Sequence, residues 1–144
     1  MNFDLVSDLH VDVWGKTNST EWVQHQASDT LLVAGDTSDF IDITCDYILF
    51  LRRYYKTILV VDGNHEHEGS NYDIKRTNAE WSINIKQTGA HFLGDSAYTR
   101  NNYRFIGCNG WWSFDFGEPN ISRKDCQTRV VNRTRWNFFH MNQQ

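Results

Sequence analysis

Three short segments carry side chains that could do chemistry together: Asp8-Leu9-His10, Gly35-Asp36-Thr37-Ser38-Asp39 and Gly63-Asn64-His65-Glu66. Carboxylate oxygens, imidazole nitrogens and an amide oxygen are hard-to-borderline donors. They suit divalent ions of the Mn, Fe or Zn class, and a carboxylate can bridge two of them. Two ions about 3.5 to 4 Å apart can hold a hydroxide and neutralise a phosphate attacked in line. The same residue types also make plain solvated surface, so position along the chain has to separate the two readings.

Each segment directly follows an apolar run of strand length: Phe3-Asp4-Leu5-Val6, Thr30-Leu31-Leu32-Val33-Ala34 and Thr57-Ile58-Leu59-Val60-Val61. The second and third runs are nearly uninterrupted and rich in branched residues, the pattern of strands buried on both faces. Helical spacing recurs at Ile41, Cys45, Ile48, Leu49 and Tyr55 and, with one polar member, at Ile74, Asn78, Trp81 and Ile85. Ser70 followed by Asp73 resembles a capping box for the latter helix, and Gly89 makes a stop. A weaker helix is expected near Glu21 to Ala27. This alternation predicts a parallel sheet with crossover helices. Beyond Gly89 the runs His91-Phe92-Leu93, Ala97-Tyr98-Thr99 and Tyr103-Arg104-Phe105-Ile106, with a turn at Asn101-Asn102, predict an antiparallel continuation and hence a mixed sheet. In an open α/β sheet the functional crevice lies beyond the carboxyl ends of parallel strands. Asp8, His10, Asp36, Asn64 and His65 would therefore converge on one spot. A glycine before Asp36 and another before Asn64 let the chain turn sharply there.

In this order, each after a strand, the segments resemble the signature of the calcineurin-like metallophosphoesterase superfamily: Asp-x-His, Gly-Asp-x-x-Asp and Gly-Asn-His-Asp/Glu. His91-Phe92-Leu93 and the stretch from Phe105 to Trp112 are similar to the segment after the third motif in small members, so the resemblance covers roughly residues 1 to 116. It implies an α/β, metallophosphoesterase-type sandwich and a metal-dependent phosphoesterase. Such an enzyme attacks a phosphomonoester or phosphodiester with a metal-bound hydroxide, using up to two divalent ions, manganese among them. By the same resemblance Asp8 and His10 bind the first ion, Asp36 bridges both and Asn64 binds the second. His65 contacts the phosphate and protonates the departing oxygen, and Asp39 orients His65.

Two departures from the family pattern stand out. Phe40 occupies the place after Asp39 where the protein Ser/Thr phosphatase branch has an arginine. The later Gly-His and Gly-His-x-His motifs have no match, since after His67 only His91 and His140 remain and neither follows a glycine. The expectation is one domain over residues 1–144, truncated at its C-terminus and holding only the first mixed sheet with its flanking helices. Its motif-bearing part would be 1–116 and its basic tail 117–144. The alternative is a split half that acts as a non-catalytic binding or assembly module, self-associating or meeting a complementing chain through an exposed sheet.

Composition bounds these readings. The 144 residues are 40% hydrophobic and 15% aromatic, enough for the core of one domain. Net charge is −4, but residues 1–68 hold twelve acids against four bases and residues 69–144 six acids against ten bases. No apolar run approaches the roughly 20 residues that cross a bilayer, and no basic-then-apolar leader is visible at MNFDLVSDLH. Cys45, Cys108 and Cys126 are odd in number and far apart, against a disulfide framework or a cysteine zinc site. A cytoplasmic, membrane-free protein is expected. His67 is expected in an exposed loop, and His25 and His91 at ordinary surface or half-buried positions. Trp111, Trp112, Phe114 and Phe116 are read as packing on the sheet, with base stacking as the other option. The tail bases Arg123, Lys124, Arg129, Arg133 and Arg135 are read as a solvated helix face or the remnant of a longer domain, with a nucleic-acid contact as the other option.

Overall fold

The branched apolar runs form four strands side by side: β1 (Asp4–Val6), β2 (Thr30–Ala34), β3 (Thr57–Val61) and β4 (His91–Phe92), in that order and all parallel. This arrangement is seen in a computed structural model that describes residues 1–18, 20–68 and 74–108. Register sets Leu31 against Ile58 and Val33 against Val60. These four side chains are buried in one cluster with Tyr47, Ile48, Leu51, Trp81 and Ile85. Burying each such aliphatic side chain stabilises the fold by about 1.5–3 kcal/mol relative to leaving it in water. The opposite face carries the register row Leu5, Leu32 and Leu59, which runs from exposed at the β1 edge to buried at β3.

The helices follow from the same patterning. α1 (Val11–Asn18) starts directly after the first chemical segment, α2 (Ile41–Leu51) after the second and α3 (His65–Glu68) within the third. α4 (Ile74–Gln87) crosses over to β4. Beyond its end, Gly89 adopts φ +80° and donates its N–H to the Lys86 carbonyl at 3.1 Å, the stop expected from the sequence. A 3-10 turn spans Glu21–His25 where the weak helix was expected. The sequence pattern did not suggest α1.

The antiparallel continuation is corrected in part. Because α4 is a crossover helix, β4 enters parallel to β3. β5 (Ser96–Arg100) and β6 (Tyr103–Gly107) pair antiparallel in a separate two-stranded sheet. Their turn residues Asn101 and Asn102 sit at φ +49° and +64°, as a tight hairpin requires. The Arg100 guanidinium pins this hairpin near the start of the main sheet, donating to the Thr30 hydroxyl at 3.2 Å, to the Thr57 hydroxyl and to the Asp29 carboxylate at 3.2 Å. The α/β class holds, as a four-stranded parallel sheet flanked by helices. No helix among the described residues is long and apolar enough to cross a membrane. The Ser70/Asp73 cap, the aromatic segment from Trp111 to Phe116, Cys126, His140 and the basic tail lie outside the described residues.

Candidate metal centre and active site

Parallel pairing continues past the strands as contacts between the loops that follow them. Asp8 N donates to the Gly35 carbonyl (3.1 Å), His10 N to the Asp36 carbonyl (3.1 Å) and Val11 N to the Thr37 carbonyl (2.9 Å). The loop after β1 therefore runs alongside the loop after β2. Asp39 N donates in turn to Asp12 Oδ2 at 3.2 Å. Asp8, His10 and Asp36 all sit in the left-handed region, at φ +54°, +41° and +54°. Each such residue costs about 1–2 kcal/mol, and it persists only where the surroundings over-determine it.

The loop after β3 closes on the loop after β2 through two glycines. A Cβ on Gly35, itself at φ +80°, would lie 2.9 Å from both Gly63 Cα and Gly63 N. A Cβ on Gly63 would lie 2.1 Å from Asp36 Oδ1. That close approach lets His65 N donate to Asp36 Oδ1 at 3.2 Å.

Three of the expected site residues come together. One ligand atom from each of His10, Asp36 and His65 lies within 4.8 Å of the others, and all three residues are half-buried. The His10 and His65 rings meet edge to face with centroids 4.5 Å apart. Asp39 joins them: His65 Nδ1 donates to Asp39 Oδ1 at 2.6 Å, which fixes the tautomer with the proton on Nδ1. Two imidazoles and a carboxylate are a donor set that fits a divalent ion of the Mn, Fe or Zn class. Asp8 has an exposed side chain and stands outside this trio, held through its backbone. Asn64 is exposed, and its carbonyl accepts the N–H of His67. Asp39 also lines a cleft of about 270 Å³ shared with Phe40, Arg76, Thr77, Glu80 and Trp81.

Two supporting groups escaped the sequence reading. His67, expected to be exposed, is fully buried, and its Nε2 donates to the equally buried Asp62 Oδ2 at 2.5 Å. The pair clasps the two ends of the Gly-Asn-His turn. Glu66 is also buried, and its carboxylate accepts from Gly63 N (2.7 Å), Asp36 N (3.0 Å) and Thr37 N (2.6 Å). Burial pushes the Glu66 carboxyl above its ordinary range even though these backbone N–H groups pull the other way. The only signal in the sequence was that an acid followed the histidine of the third motif.

The fold is an α/β domain, and the carboxyl edge of its sheet carries a donor set that fits a divalent ion. The family model for calcineurin-like phosphoesterases matches residues 1–134, and the chain belongs to that family. No curated protein matches it. Among solved structures, phosphopantetheinyl hydrolase (PptH) from Mycobacterium tuberculosis has a similar fold, with a TM-score of 0.61 at 18% identity. The match covers 92% of this chain and 50% of that one, so the chain spans about half the length of that protein.

Proposed function

We propose that this chain is a metal-dependent phosphoesterase domain acting on a phosphomonoester or phosphodiester. The observation that carries the reading is the approach of His10, Asp36 and His65 within 4.8 Å of one another, where three parallel strands end in the motifs of the family. Asp36 and His10 would hold a divalent ion, with Asp8 and Asn64 as further ligands. A bound ion supplies positive charge to the phosphate oxygens and makes water a stronger nucleophile at neutral pH. Asp39 fixes the tautomer of His65 so that Nε2 faces the reacting group, and a protonated His65 gives its proton to the departing ester oxygen. Since Asp39 belongs to both, the cleft with Phe40 and Arg76 beside it is the seat we assign to the organic part of the ester.

The 4.8 Å cluster also favours a second reading, in which His65 Nε2 is itself a ligand and Asp39 acts as the carboxylate behind a metal-bound imidazole. Both readings are tested with bis-p-nitrophenyl phosphate and p-nitrophenyl phosphate in added Mn²⁺, alongside Mn²⁺ binding by calorimetry. Asp36→Asn is expected to lose both binding and turnover. His65→Ala loses turnover and keeps the ion if His65 is the acid, and loses both if it is a ligand. Folded wild-type protein that turns over neither ester with Mn²⁺, Fe²⁺ or Zn²⁺ would remove the enzymatic reading of this chain.

A further inference from the structure

We infer that Glu66 is a positioning residue: a buried latch between the loops after β2 and β3 that fixes where the Asp36 carboxylate points. The inference rests on reading Asp36 as the central metal-binding carboxylate.

The two oxygens of Glu66 divide three backbone donors between the loops. Oε1 takes Thr37 N at 2.6 Å, while Oε2 takes both Asp36 N at 3.0 Å and Gly63 N at 2.7 Å. A single atom thus ties Asp36 to the β3 loop. Asp36 needs such a restraint, because its φ of +54° is one that a residue with a side chain leaves when free to do so. Its own Oδ1 bond from His65 N depends on Gly63 staying close, and Glu66 holds Gly63 there. With Glu66 removed, the two N–H groups of the β2 loop and that of Gly63 lose a buried acceptor together.

The chemistry calls for a carboxylate. A glutamine at this place has one acceptor oxygen and one NH₂ group, so whichever way it turns it sets donor against donor at Thr37 or at Asp36 and Gly63. An aspartate keeps both oxygens but is one methylene, about 1.5 Å, shorter and cannot reach all three donors.

The test compares the full-length wild type with Glu66→Gln, Glu66→Asp and a control, Ile85→Ala, which destabilises the core far from the site. Amide hydrogen exchange in metal-free protein reads the latch at Asp36, Thr37 and Gly63, referred to Ile58 and Val60 in β3. Mn²⁺ affinity, from the electron-spin signal of the free ion, reads the consequence. Glu66→Gln is expected to speed exchange at the three amides relative to β3 and to weaken Mn²⁺ binding about 10- to 100-fold, the usual effect of losing a partner behind a metal ligand. Glu66→Asp is expected to fall between it and wild type, and it serves alone if Glu66→Gln does not fold. Ile85→Ala is expected to lose melting temperature while its Mn²⁺ affinity stays within twofold. Mn²⁺ affinity within twofold of wild type in a Glu66 variant, or unchanged exchange at the three amides, overturns the inference. If wild type itself fails to bind Mn²⁺, the metal reading falls, and the exchange pattern alone then decides whether Glu66 is the latch.

Discussion

Gly63→Ala is the sharpest single perturbation of the site, because Gly63 has no left-handed φ to complicate it. Only contact opposes a methyl group there. The added carbon would lie 2.1 Å from Asp36 Oδ1 and 2.8 Å from Asp36 N. A carbon and an oxygen need about 3.3 Å, so the carboxylate has to retreat by about 1 Å, and the backbone nitrogen gives way less easily. The retreat breaks the bond from His65 N. Overpacking of this kind costs about 1–3 kcal/mol and the lost hydrogen bond about 1 kcal/mol more, so the expected loss is about 3 kcal/mol. For a domain of this size that lowers the melting temperature by about 10 °C. The displaced carboxylate should also weaken Mn²⁺ binding by about tenfold or more. Gly35→Ala should be worse by about 1–2 kcal/mol, since it adds the left-handed penalty at φ +80° and meets backbone atoms of Gly63 that cannot rotate away. Thermal unfolding without metal and Mn²⁺ titration by calorimetry read both effects. A Gly63→Ala protein that melts within about 2 °C of wild type with the same Mn²⁺ affinity, or a Gly35→Ala protein that is the milder of the two, would refute the reasoning.

Asp8 is exposed and held at φ +54°, so Asp8→Gly should be more stable than Asp8→Ala by about 1 kcal/mol in urea unfolding while both weaken Mn²⁺ binding. His91 lies outside the site; burial and the Arg52 guanidinium hold its imidazole below its ordinary value of 6.5, so the unfolded chain binds its proton more readily. Stability should therefore drop as pH falls through 6.5, and His91→Gln should flatten that part of the urea-midpoint profile relative to wild type. Burial raises the Asp29 carboxyl, but the Thr30 hydroxyl, Arg100 and Lys56 outweigh it and hold the group below its ordinary 3.8, so its contribution is present above 3.8 and lost at lower pH. Arg100→Met should lower the urea midpoint at pH 7 and differ less from wild type at pH 3, and an equal difference at both values would detach Arg100 from Asp29.

Sheet and motifs were legible in the sequence for the same reason. A strand buried on both faces has to be written as a nearly unbroken run of branched residues, and β2 and β3 are. Polar residues immediately after such runs stand out, which exposed Asp36, Asp39, Asn64 and His65 as site candidates. β1 is an edge strand of three residues with exposed Leu5, and its run is correspondingly less clear. Burial of charged side chains was not legible. His67 and Asp62 lie among Glu66 and Glu68, a local composition that reads as solvated loop. They are buried because the turn between them folds back on itself, a tertiary event with no periodic trace. β4 was placed but expected antiparallel, because two paired residues are too few to carry a pattern and only the preceding crossover helix decides the direction.

The strain and the chemistry fall on the same residues. His10 and Asp36 leave the strand direction and bring their side chains together at the sheet edge, and Asp8 beside them shares the left-handed φ that makes such a turn. Such a residue would relax in an isolated loop. Here Asp8 N, His10 N and Val11 N extend the β1–β2 ladder across the strained stretch, and Glu66 fastens the β2 loop to the β3 loop. None of these restraints exists until both neighbouring strands are paired. Placing the donors and pairing the parallel sheet are therefore one cooperative step, and loosening any of the three loops should reach the other two. That coupling explains why groups well behind the donors, Glu66 and Gly63 foremost, should change metal affinity more than their exposure or charge alone would suggest.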